Sequence, residues 1–251
     1  MRTGQWGDLV DTMTRRSIND SYKPWFDLSI LIVAHLLLLP LWILLWTSIP
    51  LLIWLGDRGP IFYRQKRSGK DGHVITILKF RTMVPDADRT GPAWTTEDDP
   101  RLTRVGKILR RTALDELPET LSIWKGEMSL VGPRALDLEE QQALEQQIPN
   151  FAARLQVRPG LTGLAQIYDR NDVSENKFYY DLEYLDRMGP WLDLRLLVLS
   201  VWNTVMARWD RRGGKPAAGE APPASTQSLG QGHQPSGGVH ETQKEKESGH
   251  S

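Results

Sequence analysis

Cysteine is absent from the 251-residue chain, which excludes a disulfide framework, a thiolate zinc site and a Cys nucleophile together. Histidine is scarce. Of five, His233, His240 and His250 lie in a Gly/Pro/Ser/Gln-rich tail, leaving His35 inside an apolar run and His73 beside a turn. A His-based triad or a two-His metal site has almost no material to draw on. Net charge is missing too: 31 Lys+Arg balance 31 Asp+Glu, so no global field draws in nucleic acid. Neither a Walker-type loop nor a dinucleotide-binding glycine fingerprint occurs. If the protein is an enzyme, carboxylates, Lys and Arg carry its chemistry.

Aromatic residues are absent from Gly213 to Ser251, where Leu229 and Val239 are the only large aliphatics. Such a stretch buries too little apolar surface to offset its ordering entropy, which predicts a disordered tail over 210–251. Formal charge is absent from Leu28 to Gly56, a run rich in Leu, Ile and Trp. About 20 apolar helical residues cover a bilayer's ~30 Å of hydrocarbon. Pro40 lies near the middle of the run and Pro50 near its end. Each removes a backbone hydrogen bond and bends a helix. Arg15, Arg16 and Lys23 precede the run, and Arg58, Arg64, Lys66, Arg67 and Lys70 follow it. Basic residues mark the cytoplasmic side, and here both ends carry them. A segment that dips in, bends at Pro40 and returns satisfies both flanks; the alternative is one kinked spanning helix. The run is too long and starts too late for a cleaved signal peptide. The expected organisation is an N-terminal extension over 1–22, a re-entrant membrane helix over 23–57, a cytosolic core over 58–209 and the tail.

Within the core, Ile61–Gln65 and Val74–Leu78 are β-rich runs around a glycine-containing loop, which predicts a hairpin. The stretch from Val84 to Pro100, with three prolines and many acids, reads as a loop. From Leu102 to Arg111 the pattern is an amphipathic helix, with Arg104, Lys107 and Arg111 sharing one face. That face suits an anionic headgroup surface or a phosphate, or is simply a solvated face. Thr112 then reads as an N-cap with Asp115 three residues on, opening a helix through Leu117, Leu121 and Trp124. Pro118 would bend that helix or reset its start. Turns at Leu130–Arg134 and Arg158–Gly163 flank a Gln-rich helix over Leu136–Ile148. The last ordered part, Glu175 to Trp209, is apolar and aromatic-edged. It reads as core or as a surface resting on lipid, and ten Trp in the chain tilt toward the latter. The fold class is α+β, mainly helical: a broken membrane helix, a small hairpin, and amphipathic interfacial helices around a catalytic core.

The chemical inventory is an adjacent carboxylate pair, Asp115 and Glu116, with cations at Lys79, Arg81, Arg111, Arg134 and Arg158. Both carboxylates would be stabilised by the helix dipole alone. They could also bind a divalent cation, or one could attack phosphorus while the other holds the metal. Phosphoryl chemistry depends on positioning and on neutralising oxygen charge, which Lys, Arg and Mg²⁺ supply. Glycosidase carboxylates must flank a sugar, and sequence neighbours do so poorly.

Six motifs then occur in order: Gly59-Pro60-Ile61-Phe62-Tyr63-Arg64-Gln65, Lys79-Phe80-Arg81-Thr82-Met83, Thr103-Arg104-Val105-Gly106, Leu114-Asp115-Glu116-Leu117-Pro118, Met128-Ser129-Leu130-Val131-Gly132-Pro133-Arg134 and Arg158-Pro159-Gly160-Leu161-Thr162-Gly163. Together, from about Tyr22 to Arg208, they resemble the bacterial sugar transferases known as monotopic phosphoglycosyl transferases, in their minimal form. The resemblance implies a re-entrant membrane helix broken at a proline, residence at the bacterial cytoplasmic membrane, and a catalytic core on its cytoplasmic face. It implies that Asp115 attacks the β-phosphate of a UDP-sugar, releasing UMP, and that polyprenyl (undecaprenyl) phosphate then takes the phosphosugar, initiating glycan or exopolysaccharide assembly. Glu116 is implied as a Mg²⁺ ligand, with Lys79, Arg134, Arg111 and Asp181 at substrate- or phosphate-binding positions; Arg81 and Arg158 join that set as cations of the right type to bind phosphate. Three positions depart from the family pattern. Leu39, rather than Ser, precedes Pro40; Ala135 stands where a second proline is common; Leu164 stands where a tryptophan is common. Trp-rich apolar faces would tolerate a homodimer in the membrane plane. Two other readings remain at this point. One is a non-catalytic membrane-anchored scaffold whose Asp115 and Glu116 only cap a helix; the other is a metal-dependent phosphatase or nucleotidyl transferase.

Overall fold

A computed structural model describes residues 18, 20–89, 99–169 and 174–206. The tail expected over 210–251, most of the 1–22 extension and the middle of the acidic loop lie outside the described residues. What is described is mainly helical with small β-elements, as the composition and periodicity led one to expect.

The apolar run folds as two helices, α1 (Lys23–Leu37) and α2 (Leu39–Asp57). They part at Leu38, whose φ of −108° and ψ of 22° leave the helical region. Pro40 accounts for the position. It has no N–H to give the carbonyl one turn back and its ring crowds that turn, yet in the first turn of a new helix it is tolerated. Pro50 sits inside α2 without ending it. Among the described residues α2 is the one helix long and apolar enough to cross a membrane. Leu36, Leu37, Leu41, Leu44 and Leu55 are exposed, whereas Leu31, Ile49 and Ile53 are buried against the body.

The hairpin pairs β1 (Phe62–Ser68) with β2 (Val74–Phe80), Phe62 opposite Phe80 and Ser68 opposite Val74. Both strands run past the expected ends, and Ile75 and Ile77 face the core on alternate positions. Helix α3 (Arg104–Thr112) is capped by Thr103, whose Oγ1 accepts the Gly106 N–H at 2.9 Å. Gly106 lies hard against the strand end: a Cβ there would fall 1.9 Å from the Thr82 carbonyl oxygen. Gly106→Ala is therefore expected to lower stability by about 3 kcal/mol, because backbone has to move. A thermal unfolding midpoint unchanged by Gly106→Ala would contradict this contact.

The capping role expected of Thr112 is not what forms. Its hydroxyl donates back to the carbonyls of Ile108 (2.9 Å) and Leu109 (3.1 Å), closing α3. Ala113 then turns left-handed at φ 54°, and Leu114–Glu119 winds as a 3₁₀ turn with no side-chain cap. Pro118, lacking an N–H, sits within this turn, and α4 (Thr120–Trp124) begins only after it. The two expected turns also contain short strands, β3 (Ser129–Val131) and β4 (Gly160–Thr162), paired in parallel. The hydrophobic pattern of three-residue strands is too short to be read as periodic. The remaining helices are α5 (Leu138–Gln147), α6 (Leu164–Tyr168), α7 (Ser174–Arg187) and α8 (Pro190–Val205), with a 3₁₀ turn at Phe151–Gln156.

A buried polar knot ties α1 into this body. Lys23 Nζ reaches the Val131 carbonyl (2.6 Å), Tyr184 Oη (2.6 Å) and Asp193 Oδ2 (2.8 Å), and neither charged side chain has any exposed surface. Tyr22 and Tyr184 also donate to Asp193, so the ion pair is fully hydrogen-bonded.

Candidate active site

Two backbone arrangements aim side chains at one cleft. In the 3₁₀ turn, with three residues per turn, Glu116 and Glu119 eclipse each other. At the end of β3, Gly132 and Gly160 let two backbones touch: a Cβ on Gly160 would fall 2.0 Å from the Gly132 nitrogen. The Gly160 N–H donates to the Pro133 carbonyl at 2.9 Å, and this crossing presents Arg134 to the cleft. A shallow cleft open to solvent lies between Lys79, Glu116, Glu119, Arg134, Arg67 and an apolar side that includes Ile77 and Met128.

Lys79, near the end of β2, sits between two carboxylates. Its Nζ donates to Glu116 Oε1 at 2.8 Å and lies 3.0 Å from Glu119 Oε1, off the hydrogen-bond direction. Arg134 Nη2 donates to the same Glu116 oxygen at 3.1 Å, its guanidinium still 42% exposed. Burial pushes the Glu116 carboxyl upward, but Lys79 and then Arg134 outweigh it and hold the group down at about 2. Glu119 is raised instead: burial dominates, Lys79 offsets part of it and Glu116 adds to it. Asp115 is raised as well, by burial first, with Lys79 and Arg110 opposing and Glu116 reinforcing. Among the described residues no side chain reaches the Asp115 carboxylate at hydrogen-bond or ion-pair distance. It is half-buried beside a neutralised neighbour, its carboxylate accepting from backbone rather than from a side chain.

These shifts set the sign of an acid response. Glu116 falls from 4.5 to about 2 on folding, so it adds stability above pH 4.5 that is lost as pH drops toward 2. The amount is on the order of 3 kcal/mol. Asp115 and Glu119, being raised, act oppositely as pH climbs through their folded values. Glu116→Gln is expected to flatten the fall in thermal stability below pH 4.5, measured with a chelator present. Equal steepness in variant and parent would remove Glu116 from that account.

Other positions singled out in the sequence lie elsewhere. Arg81 forms a bidentate ion pair with Asp57 at the end of α2, tying that apolar helix to the end of β2 rather than facing the cleft. Asp181 is buried against Arg154 Nε at 2.7 Å, and Arg154 Nη2 donates to the Arg134 carbonyl at 2.6 Å. Asp181 thus orients the arginine that holds the Arg134 backbone. Arg158 is half-buried and does not line the cleft. Arg111 is exposed on α3; the arginine whose charge acts on Asp115 is its neighbour Arg110, which also donates to Thr82 Oγ1 at 3.1 Å. One residue along a helix turns a side chain by about 100°, and that rotation separates the two. Glu119, Arg110 and Arg154 were not picked out from the sequence, and Arg67 was read only as part of the basic flank of the apolar run. Only Glu119 carried a signal, its spacing of three from Glu116 beside a proline.

Among the described residues no group of three or more His, Cys, Asp or Glu side chains could hold a metal ion. Asp115 and the second oxygen of Glu116 have no side-chain partner, however. Mg²⁺ is usually held by one or two carboxylates with substrate phosphates completing its shell. The donor set therefore fits a magnesium ion shared with a diphosphate.

Residues 18–207 match the family model described as bacterial sugar transferase. The chain belongs to this family. The exopolysaccharide production protein ExoY of Sinorhizobium fredii is 38% identical to this sugar transferase over 214 residues, covering 79% of the chain and 92% of ExoY. The UDP-glucose:undecaprenyl-phosphate glucose-1-phosphate transferase of Escherichia coli is 37% identical over 161 residues, covering 62% of the chain but 35% of that relative. This sugar transferase thus spans about a third of the latter's length. An uncharacterized sugar transferase, EpsL, of Bacillus subtilis is 40% identical over 149 residues, covering 59% of the chain and 71% of EpsL.

Proposed function

We propose that this sugar transferase moves a sugar-1-phosphate from a UDP-sugar to polyprenyl phosphate, with Asp115 as the nucleophile. The observation that carries the reading is the division of labour within one turn. Glu116 is neutralised by Lys79 and Arg134, while among the described residues no side chain pairs with the Asp115 carboxylate, which lies within the field of Lys79. A carboxylate oxygen of Asp115 attacks the β-phosphorus, and the bond from that phosphorus to the bridging oxygen breaks. UMP leaves with the bridging oxygen, and the sugar phosphate remains on Asp115 as an acyl phosphate. An oxygen of polyprenyl phosphate then attacks the same phosphorus, releasing the Asp115 carboxylate and giving a polyprenyl diphosphate sugar. The raised protonation range of Asp115 makes it a better nucleophile than an ordinary carboxylate, provided the working pH lies above it. Lys79 and Arg134 neutralise non-bridging oxygens as charge builds. Mg²⁺, held by Glu116 and Asp115 with the diphosphate, would supply further charge neutralisation.

Two bulky anions never share the site in this scheme. The broken apolar run supports a re-entrant placement: both flanks are basic and the residues around Leu38 are exposed leucines. The core would then lie on the cytoplasmic face, within reach of a headgroup that cannot leave the membrane plane. The relatives' names make UDP-glucose the first donor to try. The test is UMP release by detergent-purified protein with Mg²⁺ across a panel of UDP-sugars, with and without undecaprenyl phosphate. Release that needs the lipid for turnover is expected. Inorganic phosphate or diphosphate as the product would replace this reading with a phosphatase or nucleotidyl transferase.

A further inference from the structure

Three rings meet beside the break in the apolar run. His35, in the last turn of α1, and Trp42, in the first turn of α2, lie face to face, centroids 4.2 Å apart and planes 8° apart. Residues seven apart in an unbroken helix are separated by about 10.5 Å along the axis. The stack therefore depends on the change of direction at Leu38. Trp124 closes the group edge-on to His35, 5.8 Å between centroids and 72° between planes. The imidazole is oriented: its Nδ1 lies 2.7 Å from the Leu31 carbonyl oxygen. A carbonyl only accepts, so Nδ1 carries the proton. A polar ring within an uncharged, lipid-facing run costs more than Leu or Phe there, which calls for a compensating role.

Trp124 connects this cluster to the chemistry. It ends α4, which follows without a loop from the 3₁₀ turn bearing Asp115, Glu116 and Glu119. One stretch of backbone, 114–124, thus has the nucleophile at one end and the ring contact at the other. We propose that His35 is a positioning residue for the lipid acceptor. Its contacts, face to face with Trp42 and edge-on with Trp124, set the bend of the membrane segment against 114–124, and so the height at which a polyprenyl phosphate headgroup meets phosphorus held on Asp115. This rests on the two-step transferase reading. It adds that the donor step is indifferent to the stack, whereas the acceptor step depends on it.

The test separates the two half-reactions in the full chain, reconstituted in phosphatidylethanolamine/phosphatidylglycerol nanodiscs. UMP released stoichiometrically without acceptor reports the first; decay of the phosphosugar adduct on adding undecaprenyl phosphate reports the second. His35→Ala is expected to leave the first within about twofold and to slow the second about tenfold or more, since misplacements near 1 Å cost up to ~100-fold. His35→Phe, keeping a flat ring, recovers most of the loss. Trp124→Ala shows the same selective defect, and the double variant is no slower than either single one, as coupled residues require. Equal slowing of both steps, no slowing of the second, or no rescue by Phe would overturn the assignment. No UMP burst from the unmutated protein would overturn the transferase reading, and this one with it.

Discussion

Asp115→Asn is expected to leave the fold intact and to remove turnover by about 10³-fold or more, the scale on which loss of a nucleophile is felt. Asn has nearly the shape of Asp. Because no described side chain is bonded to the Asp115 carboxylate, its loss strands no partner. Thermal stability should therefore stay within the ~0.5 kcal/mol typical of changes away from buried networks. The decisive readout is intact mass after incubation with donor alone. The parent chain gains a sugar phosphate and the variant does not. If Asp115→Asn still turned over at a substantial fraction of the parent rate, the acceptor would have to displace UMP directly. Asp115 would then be no more than a charge at the start of a 3₁₀ turn.

The second large effect concerns stability. Lys23→Met is expected to cost about 3–5 kcal/mol, because Asp193 would remain buried and charged with only the two tyrosine hydroxyls as donors. For a domain of this size that corresponds to roughly 6–20 °C in the unfolding midpoint. Pairing Lys23→Met with Asp193→Leu should return at least half of the loss, since removing both charges leaves no uncompensated ion. A Lys23→Met midpoint within about 2 °C of the parent would mean the knot is not holding α1 to the body.

How much of this was legible in the sequence depends on the range of the interaction concerned. The hairpin and α3 are local. They follow from short-range alternation and helical periodicity; α3 formed within two residues of its expected ends, whereas β1 runs three residues past Gln65. The family motif places Lys79 and Glu116 at one site, but their direct pairing was not legible, because nothing local links positions 37 apart. Motif spacing does not resolve which of two adjacent arginines turns toward Asp115; helix phase does, leaving Arg111 exposed and Arg110 partly buried. Arg81 looked like a phosphate ligand because cations at a strand end often are. Its partner Asp57 lies across the boundary between apolar run and core, where charge pattern alone says nothing of pairing. Thr112 misled for the opposite reason. Its capping signature was sound, but the preceding helix claimed the hydroxyl first.

The Lys23–Asp193 pair has a consequence for how the protein is made. The partners are 170 residues apart, and Lys23 is the first residue of α1. At 5–20 residues per second, translation leaves that lysine without its carboxylate for roughly 10–30 s after it emerges. During this interval the ammonium has no place inside a folded body and stays solvated. The charge that locks α1 into the core is therefore among the last contacts to close, made only once α8 has been synthesised.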